Sequence, residues 1–369
     1  MEVTLKDVAA QVGVAPSTVS RALNRKAGVS ERTRSAILAT AKRLGYIPNA
    51  AARGLARKRT ESLGFLVNPQ QLLRPDAFYL EILEGVEQVT QERGYQLVFS
   101  TENAKVLLKA KRVDGLILAG CDLKQSTILL LKRRGIPLIL VDNHLEFDQI
   151  DSVVIDNVSG AYTAVAHLAE LGHRTIGFIA ERLDDLNFSE RFEGYRRALQ
   201  AYGLPYDQAL VASGPAELSG KPEDATLYGQ IAMQRLLKLK LPTAVFAAND
   251  GAAAGALRAI RAAGLRVPEE LAIVGFDDGF IARHTEPLLT TMRVHRREMG
   301  QVAARLLLER IAAPDQPVRQ VKFSAQLIVR ASSGKELARE VRDDPKLSRP
   351  AEASRTSAKY ISLGGIFSC

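Results

Sequence analysis

Several polar residues stand just beyond short apolar runs, and their chemistry suits a hydroxyl-rich ligand. Asp142 follows Pro137–Val141. Asn249 and Asp250 follow Ala244–Ala247, Asp277 and Asp278 follow Ala272–Gly275, and Arg191 opens a helical stretch after the loop 181–188. Carboxylates, an amide and a guanidinium accept from and donate to paired hydroxyls. Phe78 or Tyr79, at the start of another helical stretch, offers a ring on which a sugar or a base can stack. Asp and Asn after a strand are also ordinary helix caps. Asp250 and Asp278 are expected to cap; Tyr79 or Phe78, Asp142, Arg191, Asn249 and Asp277 stay open as ligand candidates.

A second chemistry sits at the other end of the chain. Thr4 can cap a helix bearing Leu5, Val8, Ala9 and Val12, which Gly13 ends. After Gly13-Val14-Ala15, a second short helix starts near Pro16 and runs through Asn24. Two short helices joined by a tight Gly-containing turn form a helix-turn-helix. Ser17, Thr18, Ser20 and Arg21 on the second helix can donate to phosphates and base edges in a major groove. Short Ser/Thr-rich helices also occur with no such role, so the charge decides. Residues 1–60 hold twelve Lys+Arg and three Asp+Glu, a balance of +9 that equals the net charge of all 369 residues. One sixth of the chain therefore carries all the net charge, as a nucleic-acid or membrane-surface module would. A groove-reading helix accompanies the charge rather than an amphipathic lipid-facing one, which favours DNA.

The elements that position these groups follow from periodicity. A third helix opens at Ser30, with Ile37, Leu38, Ala41 and Leu44 as its expected buried face, and Gly45 ends it. Asn49 can cap a short helix through Arg53 and Leu55, marginal alone and flanked by Arg57, Lys58 and Arg59. Leu55 can wedge between base steps in a minor groove, or else pack on its own domain as part of a solvated linker. From residue 62 onward, apolar strand segments alternate with helices over some 270 residues. That rhythm is too long for one doubly wound domain and fits two α/β lobes with parallel sheets.

Other classes are disfavoured. With 46% hydrophobic and 25% charged residues the chain is an ordinary globular one. Cys121 and Cys369 make neither a disulfide framework nor a metal clip. The chain shows no Gly-x-Ser-x-Gly, His-Glu-x-x-His or Gly-x-Gly-x-x-Gly, and Gly214–Lys221 fails as a phosphate loop because Pro222 stands where Ser or Thr is required. No cofactor and no catalytic constellation are expected. With no apolar run of membrane-span length and no signal peptide, a cytoplasmic address and no membrane partner are expected.

The motifs Val3-Thr4-Leu5-Lys6-Asp7-Val8-Ala9, Thr18-Val19-Ser20-Arg21, Leu44-Gly45-Tyr46-Ile47-Pro48-Asn49 and Ala52-Arg53-Gly54-Leu55 resemble the headpiece of the lactose-repressor (LacI/GalR) family. Arg112-Val113-Asp114-Gly115, His167–Ile179, Glu190–Tyr195, Ala248-Asn249-Asp250 and Val274–Asp278 resemble its two-lobed, periplasmic-binding-protein-like core. The likeness spans residues 3 to about 334. It implies an all-α helix-turn-helix headpiece (1–48), a hinge (49–61), a first lobe (62–155 and 290–317) and a second lobe (156–289 and 318–334). Beyond it, the charged, Ser-rich stretch 335–369 is expected to be a disordered tail. The likeness also implies DNA contacts at Thr4, Pro16, Ser17, Thr18, Ser20, Arg21, Asn24, Tyr46, Asn49, Arg53 and Leu55, and effector contacts foremost at Arg191, Asn249 and Asp277. Ala15-Pro16 departs from the family's usual Ser/Thr cap, and proline cannot donate to a base. The resemblance implies a homodimeric regulator of transcription on a pseudo-palindromic operator. Its effector would be a sugar or sugar phosphate, with a purine as the alternative. A transporter's solute-binding protein would lack the basic headpiece. An enzyme fused to a DNA-binding domain would need catalytic groups. The crossover 101–112 is shorter than the family's usual one.

Overall fold

The computed structural model describes residues 3–23, 27–46, 59–72, 77–101, 113–120, 123–145, 150–213, 224–239 and 241–334. Asn24, Asn49, Arg53 and Leu55 lie outside the described residues, as do the crossover 102–112, the two cysteines and the tail 335–369.

Among the described residues, three helices form the headpiece: α1 (Leu5–Val12), α2 (Pro16–Leu23) and α3 (Glu31–Leu44). Thr4 starts α1, and Asp7 Oδ2 accepts from both its backbone N–H (2.8 Å) and its hydroxyl (2.7 Å). Those two bonds, the hydroxyl's foremost, hold the Asp7 carboxyl below its usual range. Gly13 (φ 73°) and Gly45 (φ 68°) end α1 and α3 in the left-handed conformation that glycine adopts without steric cost. Val8, Ala9, Val19, Ala22, Ile37 and Ala41 make the small core. Leu38, expected inside, is turned out to solvent at 47% exposure, because its neighbour Ile37 already fills the contact with α1 and α2.

The body begins with β1 (Ser62–Val67), α4 (Phe78–Glu92), β2 (Gln96–Ser100), β3 (Gly115–Ala119), α5 (Gln125–Arg133), β4 (Leu138–Val141) and β5 (Asp151–Ile155). There follow α6 (Asn157–Glu170), β6 (Ile176–Ala180), α7 (Leu186–Ala201), β7 (Val211–Ser213), α8 (Asp224–Leu239), β8 (Ala244–Ala247), α9 (Asp250–Ala262) and β9 (Ala272–Val274). Then come β10 (Thr291–Arg293), α10 (Arg296–Ala312), β11 (Gln320–Phe323) and β12 (Gln326–Ile328). Among the described residues, a six-stranded parallel sheet runs β11-β5-β4-β3-β1-β2 and a four-stranded parallel sheet runs β7-β6-β8-β9. Strand side chains alternate between two covered faces. Leu116 and Leu118 meet Ile128 and Leu131 of α5, whereas Ile117 belongs with Ile82 of α4 and Met299 of α10. In the second lobe Phe178 packs with Tyr195 of α7, and Ile179 with Tyr228 and Met233 of α8.

The chain crosses between lobes after β5, around β10 and between β11 and β12. The third crossing departs from expectation. The expected lobe bounds put all of residues 318–334 in the second lobe, with the crossing near 318. Instead β11 pairs with β5 in the first sheet, from Gln320↔Ser152 to Phe323↔Ile155, and β12 pairs antiparallel with β10. The physical reason is the open edge of β5, whose backbone groups β11 satisfies before the chain leaves the lobe.

Candidate functional site

The carboxyl ends of the two sheets face the cleft between the lobes, where open α/β sheets place ligands. From the first lobe, Asp142 ends β4 with a left-handed backbone (φ 56°) and is 5% exposed. Its Oδ2 accepts from the Tyr79 hydroxyl at 2.7 Å, while Oδ1 is buried without a partner among the described residues. Burial pushes the carboxyl up to about 7, against the Tyr79 hydrogen bond and nearby Arg191, with Asp185 and Asp277 adding to the rise. Tyr79, expected to offer its ring to a ligand, is itself buried and packs edge-on against Phe78.

From the second lobe, Arg191 is 3% exposed and held on every side. Its Nε donates to Asn157 Oδ1 (2.8 Å), Nη1 to the Ala248 carbonyl (2.5 Å), and Nη2 lies 3.4 Å from Asp277 Oδ1. Asp277 has φ 113° and a buried side chain, a backbone strain typical of functional sites. Asn249, at the end of β8, spends its side-chain oxygen on capping α9 through Ala252 N–H (2.7 Å).

The capping assignments therefore exchange. Asp250 does not cap. Its oxygens accept from the Thr291 hydroxyl (2.5 Å) and Gly279 N–H (2.8 Å), and burial together with nearby Asp277 lifts its carboxyl well above the ordinary range. Asp278 does not cap either. Arg330 (2.6 Å), Arg293 (2.7 Å) and Arg283 (3.5 Å) converge on it. Burial would raise this carboxyl, but the hydrogen bonds from Arg330 and Arg293 outweigh it and hold it low. His167 Nε2 meets Ser333 Oγ at 3.0 Å, and burial lowers His173 to about 4.

Three cleft residues escaped the sequence reading. Asn157 bridges Arg191 to Asn187 (3.0 Å) and Glu190 (2.8 Å), and it follows β5 just as the other candidates follow their strands, so the same rule would have found it. Phe276 lies under Arg191. Arg296 is 2% exposed and joins the lobes, donating to the Asp277 carbonyl (2.5 Å) and to Glu81 (3.0 Å).

In the headpiece, Pro16, Ser17 and Arg21 project from α2 into solvent, Thr18 and Ser20 are half-buried, and Val19 and Ala22 anchor the helix in the core. Thr4 is exposed at the start of α1, and Tyr46 is half-buried after α3. The exposed residues share the outer face of α2.

Residues 4–49 match the model of bacterial regulatory proteins of the lacI family, and residues 165–333 match a periplasmic binding protein-like domain. The HTH-type transcriptional regulator CelR of Thermobifida fusca is 38% identical over 342 residues, spanning 89% of this chain and 98% of CelR. The chain belongs to the lacI family. It is a DNA-binding transcriptional regulator and not an enzyme. Another relative in the family, the transcriptional repressor PurR of Haemophilus influenzae KW20, is 36% identical over 344 residues with the same shares covered. Among solved lacI-family structures, the CelR–cellobiose complex matches with a TM-score of 0.68 at 35% identity, covering 90% of this chain and 100% of that one. The lac repressor dimer bound to operator and the anti-inducer ONPF matches with a TM-score of 0.77 at 26% identity and the same coverage. No helix among the described residues is long and apolar enough to cross a membrane.

Proposed function

We propose that this regulator represses transcription as a homodimer on a pseudo-palindromic operator, and that a neutral sugar bound between the lobes controls it. Two α2 helices would enter successive major grooves, using Pro16, Ser17, Thr18, Ser20 and Arg21 for the groove and Thr4 and Tyr46 for the backbone. Asn24, Asn49, Arg53 and Leu55 complete the proposed DNA surface from the sequence alone. Such work belongs where the genome is, hence the cytoplasmic assignment.

The observation that carries the effector class is the state of charge in the cleft. Asp142, Asp250 and Asp277 are buried close together, and the first two are already forced toward neutrality. Arg191 and Arg296 are committed to protein acceptors. A phosphate would add negative charge where carboxyls already repel one another. A neutral polyol brings hydroxyl donors, which Asp142 Oδ1 lacks and Asp277 can accept. The CelR–cellobiose complex supports a sugar, and the PurR relatives keep a purine as the second reading.

A thermal-shift panel on the full chain tests this, because a ligand of the native state raises the melting temperature. Neutral mono- and disaccharides should raise it and their phosphates should not. A shift confined to sugar phosphates or purines would overturn the effector class. Removal of residues 1–60 should abolish sequence-specific DNA binding.

A further inference from the structure

The linker from the headpiece enters the first lobe at Arg59–Glu61, and its entry is held from two sides. Asp114, at the amino end of β3, accepts from Thr60 N–H (2.6 Å), the Thr60 hydroxyl (2.9 Å) and Glu61 N–H (3.0 Å). Arg59 Nη2 donates to the carbonyl of Ile311 in the last turn of α10 (3.3 Å). The two holds are one packed unit. A Cβ on Gly115, next to Asp114, would stand 2.8 Å from Leu307 Cδ1 and 3.0 Å from Ile311 Cδ1. Glu61 itself has φ 51°, a conformation that persists where the surroundings impose it.

The other end of α10 lies in the cleft. Arg296, its first residue, joins the Asp277 carbonyl of the second lobe to Glu81 of α4 in the first, with its guanidinium 5.0 Å from the Phe78 ring centroid. Asp277 is also the partner of Arg191. A helix of 17 residues, about 25 Å long, thus starts at the contact between the lobes and ends at the root of the DNA-binding arm. It is seated firmly. Gly85 and Gly300 bring the backbones of α4 and α10 into contact, and a Cβ on either would overlap a carbonyl oxygen of the facing helix.

We infer that α10 couples the effector cleft to the DNA-binding arm, with Arg296 and Asp114 as positioning residues at its two ends. Lobe movement shifts Asp277 relative to Glu81 and so pulls on Arg296. The helix carries that displacement to the Ile311 carbonyl and to Arg59. Asp114 fixes the point from which the linker departs, and so sets how the two headpieces of a dimer are spaced. This coupling rests on DNA binding by the headpiece and is independent of the effector's identity.

A double-mutant cycle on the full chain tests it, with an operator duplex selected by the wild-type protein from a random-sequence pool. The variants are Asp114→Asn, which weakens the triple acceptor, and Arg296→Met, which removes the hydrogen bond across the lobes to the Asp277 carbonyl and the one that seats Arg296 on Glu81, while filling the space. Widely separated residues without shared partners normally combine additively, so a departure of about fivefold or more from the product of the single effects on operator affinity is expected here. Melting temperatures, by contrast, should combine additively. Multiplicative affinities would overturn the coupling, and so would an unchanged operator affinity in Asp114→Asn. If Arg296→Met fails to fold, Glu81→Ala removes the acceptor that seats Arg296, from a half-exposed position, and takes its place. Failure of the wild-type chain to select any duplex would sink the headpiece reading, and the coupling with it.

Discussion

The guanidinium of Arg191 lies over the ring of Phe276, 3.8 Å from its centroid, while its Nη2 faces Asp277 Oδ1 at 3.4 Å. The aromatic face and the carboxylate come from adjacent residues of one loop, so a single backbone excursion supplies both the stacking surface and the counter-charge. Arginine suits this place because its planar fork can stack and donate in several directions at once.

That geometry makes Arg191→Lys informative. Lysine keeps the charge but cannot hold Asn157, the Ala248 carbonyl and Asp277 together. The effector-induced rise in melting temperature should be lost, with operator affinity staying within about twofold, since the headpiece contacts are untouched. Arg191→Ala should be worse for folding, because it removes the buried guanidinium that holds Asn157, the Ala248 carbonyl and Asp277 together and leaves a cavity beside Phe276. Chemical denaturation of both variants, alongside operator titration, checks the pair. Equal loss of effector response and operator binding in Arg191→Lys would indicate misfolding instead.

Asp142 predicts a pH dependence with a definite sign. Its folded value of about 7 exceeds the unfolded 3.8. Between those values the folded protein keeps a proton that the unfolded chain has released. Stability therefore falls as pH rises through this window and levels off above it. Asp142→Asn removes the ionisation, so the variant should be the more stable at pH 8, by at most about 4 kcal/mol. Asp250 shifts in the same direction and should leave a residual slope. Melting curves from pH 4 to 8 decide the matter, and a variant that tracks the wild type throughout would refute the assignment.

Much of this arrangement is written in the chain, and the exceptions have physical causes. Strands such as Gln96–Ser100, Ile176–Ala180 and Ala244–Ala247 are legible because they are short apolar runs between helical periods. The lobe crossing at Ser324-Ala325 is not legible, because period-2 patterning continues through it and sheet membership is a tertiary property. Capping was misassigned at Asn249 and Asp250 because neighbouring polar residues satisfy the same local rule, and only the partners Thr291 and Gly279 separate them. Arg296 had one overlooked signal. A cation at a helix amino end opposes the helix dipole, and here Glu81 and the Asp277 carbonyl compensate it.

The headpiece charge predicts operator affinity that falls linearly with salt on logarithmic axes. Arg21 is exposed at the carboxyl end of α2. If it contacts a phosphate, Arg21→Ala should lower affinity for all duplexes alike and reduce the salt slope by about 1. If it reads a base, the slope should hold and discrimination at one position should relax. Titrations over a range of salt, on selected and scrambled duplexes, distinguish the two. An unchanged slope with unchanged discrimination would remove Arg21 from the interface.

The contact between α4 and α10 predicts a severe response to one methyl group. A Cβ on Gly300 would overlap the Ile82 carbonyl oxygen, and the next atom in its way is backbone too. Neither can rotate aside as a side-chain tip would, so the helices must separate along their length. Overpacking of a core commonly costs about 1–3 kcal/mol, and a backbone obstacle places Gly300→Ala at or above the upper end. Gly85→Ala meets the Arg297 carbonyl and should behave alike. Gly135→Ala is the useful contrast. It has open space around its Cβ position but a φ of 69°, so its cost is conformational alone and should be about 1 kcal/mol. Urea denaturation should rank Gly300→Ala and Gly85→Ala well above Gly135→Ala. If all three lost the same stability, the close approach of α4 and α10 would not be what those two glycines serve.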